Sequence, residues 1–490
     1  MQPHGRAVVT LRPLPPGDDG ALRMSPLLLE QLGLKPGSRV VLWAGRRRLP
    51  VRVDLLWPRP LADPHPDRHG DPSRSFVVRV SPELMHRAAL PRGVPLMMMR
   101  SGGDVHVGPF VGIYCQRYPG PSLYGPQTAF FRRLIRLGRT MNMCVYVFEA
   151  RDVDTARGVI HGVTWEEGRG WVRRRFPLPH VLYDRGMVNG RVMRIQNWLR
   201  RRGVQQFNAW VGSKWWVYRQ MAKVPELARY IPETVVLRRT ADLAAMLRRH
   251  GTVYVKAAGG GKGLGLWLIT ADGRGGCVYR YTDARCRIHG GRTRDLSGIV
   301  GMLLSRPRRP WLIQPKIDLL RHRGRIFDVR VLVQRDGEGV LRVTGTGARV
   351  GRRGSFVSNI YGGGDARRLE PLLQEELGLD ADQAAAMRRE MEGVALAVAE
   401  LLHRACRRTG HVGELGVDIG IDRRGRLWFF EANSRTGRNV FQMAGMRESA
   451  RNALRRPLEF AFYLSGFSGS FSTAAETLPY EQRSSSAGGP

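Results

Sequence analysis

The chain has 490 residues, 42% of them hydrophobic: room for about two to four domains with real cores, and an apolar share ordinary for a soluble protein. No run approaches ~20 apolar residues, and Met1-Gln2-Pro3-His4-Gly5-Arg6 has no apolar signal core, which excludes a membrane-spanning helix and argues against export by a signal peptide. Basic residues (79) outnumber acidic ones (42) for a formal net charge of +37, and five scattered cysteines, Cys115, Cys144, Cys277, Cys286 and Cys406, form no CxxC pair, which argues against a disulfide scaffold or zinc ribbon and fits a reducing compartment.

Residues 1–107 read as a small β-rich domain. Short apolar runs recur at Val40–Trp43, Val51–Val53, Phe76–Val80 and Leu96–Met99, separated by turn residues such as Lys35-Pro36-Gly37. The 62–72 loop carries His65, Asp67, His69 and Asp71, either a metal site or a solvated Pro-rich loop. From Gly108 the pattern changes. A strand through Ile113-Tyr114, a helix over 127–139 with Phe130, Phe131, Leu134 and Ile135 on one face, and a strand over 144–148 predict a parallel α/β unit to about residue 205. Tyr183-Asp184-Arg185 and Asn208 are polar groups in apolar sequence, fit to line a cleft or to make structural hydrogen bonds.

Residues 214–230 predict a helix. The strand Thr252–Lys256 runs into Ala257-Ala258-Gly259-Gly260-Gly261-Lys262-Gly263-Leu264-Gly265, and a second strand follows. A glycine loop between strands lets backbone N–H groups approach phosphates. It is neither a Walker loop nor a Rossmann fingerprint, because no helix follows it. Lysines are scarce: only six of the 79 basic residues are lysine, the rest being arginine. Four of the six fall between residues 214 and 262, and lysine is a compact charge that arginine's planar fork does not replace. The arginine itself runs the length of the chain. It fits either arginines meeting nucleic-acid phosphates or a general compositional bias.

Farther on, Trp311–Ile317 is a strand leaving into a connector, and Arg325–Val333 is a strand on which Asp328 and Arg330 share a face. A buried acid and arginine require each other or a ligand. A strand over 341–350 follows, then a polar, glycine-rich loop over 355–364 that suits a mobile lid. The helix over 381–408 shows an apolar stripe of Ala385, Met387, Met391, Val394, Val398, Leu401 and Leu402. Next comes a hairpin, Gly416–Ile421 and Leu427–Asn433, around the turn Asp422-Arg423-Arg424-Gly425. It carries Asp418, Glu431 and Asn433, hard oxygen donors suited to Mg²⁺. Glu431 and Asn433 share a face. Asp418 joins them, diagonal to Glu431, if it pairs near Phe429. The tail 466–490 is expected to be disordered.

The order of strand-Lys256, glycine loop, Gln314 connector, Phe327-Asp328-Val329-Arg330, Asp418 and Glu431-Ala432-Asn433 resembles the ATP-grasp superfamily over about residues 205–440. Phe327–Val333, Gly416–Asp422 and Gly108-Pro109-Phe110-Val111-Gly112-Ile113 look like its YheC/YheD branch, the endospore coat-associated proteins, and that likeness covers most of the chain. The resemblance implies an α/β and α+β multidomain architecture: a small N-terminal β domain (1–107), a Rossmann-like pre-ATP-grasp unit (108–205) and an ATP-grasp domain of two α+β subdomains (206–465). It implies ATP and Mg²⁺ as cofactors. Lys214 and Lys256 would contact phosphates, Gly259, Gly260, Gly261, Lys262 and Gly263 would cover them, and Gln314, Pro315, Lys316 and Ile317 would lie along the adenine. Asp418, Glu431 and Asn433 would hold the metal. Arg330, with Asp328 beside it, would face the γ-phosphate and the acyl-phosphate site. Many members carry a connector glutamate for the ribose; here Asp318 is the available acid. The reaction implied is carboxylate activation followed by amine attack, with unknown carboxylate and amine substrates, in the cytoplasm or associated with the forespore or spore coat and its proteins. Two other readings are a spore-coat scaffold that binds ATP without turnover and a charge-driven nucleic-acid binder, the latter opposed by the lack of RNA-type aromatic–basic motifs.

Overall fold

The structure, a computed structural model, describes residues 5–15, 22–56, 75–118, 120, 122–208, 210–259, 265–283, 285, 287–306, 310–358 and 363–468. The 62–72 loop and all but the start of the 466–490 tail lie outside those residues. The chain divides into two compact units, one of residues 1–205 with 461–490, the other of residues 206–460.

In the first unit seven strands close a barrel: β1 (Arg6–Pro13), β2 (Leu22–Met24), β3 (Arg39–Ala44), β4 (Arg47–Leu55), β5 (Phe76–Val80), β6 (Pro95–Ser101) and β7 (Asp104–Gly108), in the order β1-β5-β2-β4-β3-β7-β6. Val9 and Leu11, Val51 and Val53, Val78 and Val80, Leu96 and Met98, and Val105 and Val107 are buried at steps of two. That is the period of strands with one face turned to an interior. Closure leaves no barrel edge to pair with another chain.

The second sheet of this unit holds β8 (Phe110–Tyr114), β9 (Cys144–Phe148), β10 (Val153–Asp154), β11 (Val159–Glu166), β12 (Gly170–Pro177) and β13 (Val181–Asp184), ordered β10-β11-β9-β8-β13 with β12 on β11. β8 runs parallel to β9 and β13, and every residue of these three strands is buried. Parallel strands covered on both faces read as continuous apolar runs. Asp184 is buried too and accepts hydrogen bonds from Gln196 Nε2 (2.9 Å) and the Gly186 N–H (3.1 Å).

The chain leaves through β14 (Gln205–Phe207). In the second unit β15 (Val235–Leu237), β16 (Thr252–Ala257), β17 (Trp267–Ala271), β18 (Cys277–Thr282), β19 (Ile288–Thr293) and β20 (Trp311–Pro315) form an antiparallel sheet ordered β15-β20-β16-β17-β18-β19. β21 (Arg321–His322), β22 (Arg325–Arg335), β23 (Leu341–Val350), β24 (Asp365–Arg368), β25 (Glu414–Ile421) and β26 (Leu427–Asn433) form the other, ordered β24-β23-β22-β25-β26 with β21 on β22. The helix Ala381–Cys406 packs on β22, β23 and β25. Its buried stripe is Ala384, Met391, Val394, Ala395, Val398, Ala399 and Leu402. Ala385, Met387 and Leu401, expected in the stripe, are only half-buried. The buried face thus alternates alanines with Met391, Val394, Val398 and Leu402, and the three half-buried residues sit at its flank. The helix expected over 214–230 is two, Lys214–Met221 and Pro225–Ala228. The last helix, Arg447–Ser465, carries the chain back to the first unit, where Phe467 packs edge-on against His180 with ring centres 5.2 Å apart.

Candidate functional site

The β25–β26 hairpin builds the site. Ile421 pairs with Leu427, Gly420 with Trp428 and Ile419 with Phe429, but Asp418 then pairs with Glu431. Phe430 is therefore an extra residue, a β-bulge. This corrects the expected register, which put Asp418 opposite Phe429 and diagonal to Glu431. With no bulge Asp418 would oppose Phe430 and point away from Glu431. With it, the two carboxylates stand opposite each other on one face, and Asn433 follows opposite Gly416. Two features accommodate the bulge. Gly420 leaves room for the Phe430 ring, which a Cβ there would strike. The Phe430 carbonyl accepts a 2.7 Å hydrogen bond from the Tyr218 hydroxyl.

Tyr218 also orders the lysines. Lys256, on β16, donates to the Tyr218 hydroxyl at 2.8 Å, and among the described residues no carboxylate pairs with it. Burial, and then the neighbouring Lys214, push Lys256 down to about 7. Lys214 opens its helix behind the Ser213 cap, and its backbone N–H donates to Ala258 at 2.9 Å, which ties it to the end of β16. Its ammonium pairs with Glu431 at 3.0 Å. Burial alone would lower Lys214; Glu431 outweighs it and holds the group above its ordinary value.

Asp328 and Arg330 do share a face of β22, but they do not satisfy each other. Arg330 forks Asp418 at 2.5 and 3.0 Å and donates to Thr436 Oγ1 at 2.6 Å. Arg349, opposite Asp328 on β23, donates to both Asp328 oxygens at 2.7 and 2.6 Å and reaches Asp418 at 2.8 Å. Two acids and two arginines thus alternate in one buried row. Burial would raise the Asp418 carboxyl; Arg330 and Arg349 outweigh it and hold the group below the usual carboxylate value. Asp328 stays raised by burial, with Arg349 opposing. The start of the expected lid is held to this row rather than free: Ser358 Oγ donates to Asp328 at 2.7 Å. Phe356 is buried against Tyr254, whose hydroxyl donates to its carbonyl at 3.0 Å.

Gly416 completes the arrangement. A Cβ there would strike Thr436 Oγ1 and come within 3.2 Å of an Arg330 guanidinium nitrogen. Gly416→Ala should therefore cost roughly 1–3 kcal/mol in urea unfolding through overpacking. Gly393→Ala, at a helical position where a Cβ meets open space, should be neutral or stabilising by up to ~1 kcal/mol.

The connector residues are spread out. Gln314 is buried in β20 and donates to Thr234 Oγ1 at 2.7 Å. Pro315 ends the strand, Lys316 is exposed and Ile317 half-buried. Asp318 is exposed and pairs with Arg423 at 3.1 Å. Gly259 is half-buried at the end of β16, while Gly260, Gly261, Lys262 and Gly263 lie outside the described residues. Asn208 proves structural: buried, it accepts from the Gly413 and Glu414 N–H groups at 3.1 and 2.8 Å and donates to the Ser434 carbonyl at 3.1 Å. Sequence reasoning missed Tyr218, Arg349 and Thr436. Tyr218 had a signal, one helical turn after Lys214.

Among the described residues no helix is long and apolar enough to cross a membrane. A family described as YheC/D like ATP-grasp matches residues 203–464. Endospore coat-associated protein YheD of Bacillus subtilis (strain 168) is 27% identical over 399 residues, covering 79% of this chain and 86% of that protein. Endospore coat-associated protein YheC of the same organism is 22% identical over 277 residues, 55% of this chain and 73% of that protein. Among solved structures, the ATP-grasp ligase PsnB complexed with minimal precursor, Mg and ADP is 12% identical, covers 73% of this chain and 98% of its own, and gives a TM-score of 0.42. VanG D-Ala:D-Ser ligase from Enterococcus faecalis is 11% identical, covers 73% and 99%, and gives 0.45. The family match takes in more than half the chain, including both sheets of the second unit and the whole Asp418–Glu431 hairpin, and the chain belongs to the YheC/D-like ATP-grasp family.

Proposed function

We propose that the chain is an ATP- and Mg²⁺-dependent, carboxylate–amine ligase-like enzyme that acts through an acyl phosphate. One observation carries the reading. Lys214 and Lys256 lie close enough to repel each other in a buried site where Glu431 is paired with Lys214 and, among the described residues, no carboxylate is paired with Lys256. Buried positive charge in surplus favours a multiply charged anion, and a triphosphate has charge for both lysines. The donor set fits the metal as well: Glu431 and Asn433, with Asp418 beside them, are hard oxygen ligands on one face. They would hold Mg²⁺, whose positive charge would offset that of the phosphates.

Each residue then has a task. Lys214 and Lys256 bind phosphates, Gly259–Gly263 with Lys262 cover them, and Gln314-Pro315-Lys316-Ile317 runs along the base with Asp318 as the acid for the ribose. Arg330 presents fixed positive charge to the transferring phosphoryl group and the acyl phosphate. Asp328 and Arg349 hold the row that orients it. The carboxylate oxygen attacks the γ-phosphorus, ADP leaves, and an amine then displaces phosphate from the acyl carbon. No cysteine or serine of the protein is required as a nucleophile. The names of the curated relatives extend the proposal to an association with the endospore coat, with residues 1–107, 108–205 and 206–465 as the working modules.

The test is a calorimetric titration of ATP with and without Mg²⁺, beside Glu431→Gln. The expected result is saturable, Mg²⁺-dependent binding weakened roughly 10–100-fold by the substitution. ADP release on addition of carboxylate and amine pairs would establish turnover. Tight binding with no release from any pair would favour a nucleotide-binding scaffold, and no binding by the folded protein would overturn both.

A further inference from the structure

The first unit contains a pocket of about 460 Å³ that shares no residue with the proposed nucleotide site. Its size falls within the ~300–1,000 Å³ of small-molecule sites, which favour seams between domains. It opens where the barrel-side segment Leu90–Val94 meets the helix Thr128–Thr140 and strands β9, β11 and β12. Part of its lining is buried and apolar: Leu90, Ile135, Val145 and Phe176. The charged part is Arg92, Arg139, Arg169, Arg174 and Arg175 against a single acid, Glu166. Arginine is a third of the lining, more than twice its share of the chain, so the general arginine excess does not account for it.

The charges do not cancel. Glu166 takes Arg174 in a two-pronged pair at 3.0 and 3.0 Å and lies 3.6 Å from Arg169. Arg92, Arg139 and Arg175 form no ion pair with a carboxylate among the described residues; Arg139 acts on Glu167 only from a distance, behind Arg136, and Arg175 bonds His86 Nε2 at 2.7 Å and the His86 carbonyl instead. The excess is felt nearby, where burial, and then Arg175 and Arg87, hold Arg47 below its ordinary value. A guanidinium fork fits planar carboxylate and phosphate oxygens, and an apolar wall beside it rewards a ligand with a hydrophobic body.

We propose that this pocket binds a small organic anion, its carboxylate or phosphate oxygens on Arg92, Arg139 and Arg175 and its apolar body against Ile135, Val145 and Phe176. The probe is 1-anilinonaphthalene-8-sulfonate, titrated by fluorescence into the full chain with citrate and inorganic pyrophosphate as competitors. Saturable binding displaced by a competitor is expected, citrate marking a carboxylate preference and pyrophosphate a phosphate one. Arg92→Gln with Arg139→Gln should weaken it at least about tenfold. Arg133→Gln with Arg194→Gln, two exposed arginines of the same unit outside the pocket, should leave it unchanged. Equal weakening in both pairs would reduce the effect to diffuse surface charge and overturn the proposal, as would unaltered binding in the pocket pair or failure of both competitors. ATP titration should be the same in all these variants, so its outcome is read independently.

Discussion

Lys256→Met should stabilise the fold while abolishing measurable ATP binding. The ammonium is buried, bonded to the Tyr218 hydroxyl and pushed down to about 7 by burial and by Lys214. A base whose folded value lies below its unfolded value of 10.5 destabilises the protein. The penalty is complete below pH 7, shrinks as pH rises from about 7 to 10.5, and is gone above that, because in this window the unfolded chain binds the extra proton. Methionine keeps the stem and removes the charge, so unfolding at pH 7 should show a gain on the order of 2 kcal/mol. Nucleotide affinity should drop at least about a hundredfold with loss of a phosphate contact in a water-poor site. In the native protein, ATP should take up a fraction of a proton on binding at pH 8. Calorimetry in two buffers of different ionisation enthalpy reads that uptake, and the methionine variant should show none. A variant less stable than the native chain would mean that Lys256 is a structural cation.

Asp418→Asn should have the opposite signature, losing stability and binding together. Asp418 is the carboxylate that both Arg330 and Arg349 grip. Arg349 would keep Asp328, but Arg330 would keep only Thr436 and the Gly437 carbonyl. Stranding a buried charge costs about 3–5 kcal/mol. For a unit of this size that corresponds to a fall of about 10 °C in the unfolding midpoint, read by scanning calorimetry. Replacing both partners, Arg330→Met with Asp418→Leu, should recover part of the loss, since no unpaired charge remains. A double variant no better than the single one would mean that packing around Asp418, rather than the stranded guanidinium, carries the effect.

The residues of the site were legible where their type was rare or their chemistry exposed. Six lysines in an arginine-rich chain single out Lys214 and Lys256, and an apolar hairpin bearing Asp418, Glu431 and Asn433 stands out for its hard oxygen donors. What stayed hidden was decided by register. The bulge at Phe430 leaves no signature in residue type; its trace is Gly420, whose missing side chain makes space for the extra ring. Arg349 is one arginine among many, and only its position opposite Asp328 singles it out. The long helix was read from bulk, which found Met391, Val394, Val398 and Leu402 of its buried face but not Ala384, Ala395 and Ala399, whose small side chains give no such signal. The barrel strands were visible as short apolar runs, but their closure depends on pairing between distant segments, β1 with β5 and β3 with β7, which no local pattern specifies.

The first unit is assembled from two stretches of chain with the entire second unit between them. Phe467, buried against His180, belongs to the later stretch. During synthesis the earlier stretch emerges and must wait for residues 206–460 to be made, on the order of tens of seconds at ribosomal speed. Through that interval the apolar surface around His180 and Phe110 has no plug, and a nascent chain halted there offers chaperones and neighbouring chains the same open seat. Completion of the first unit is thus delayed until Phe467 arrives, which makes the inserted second unit a timer for the maturation of its host.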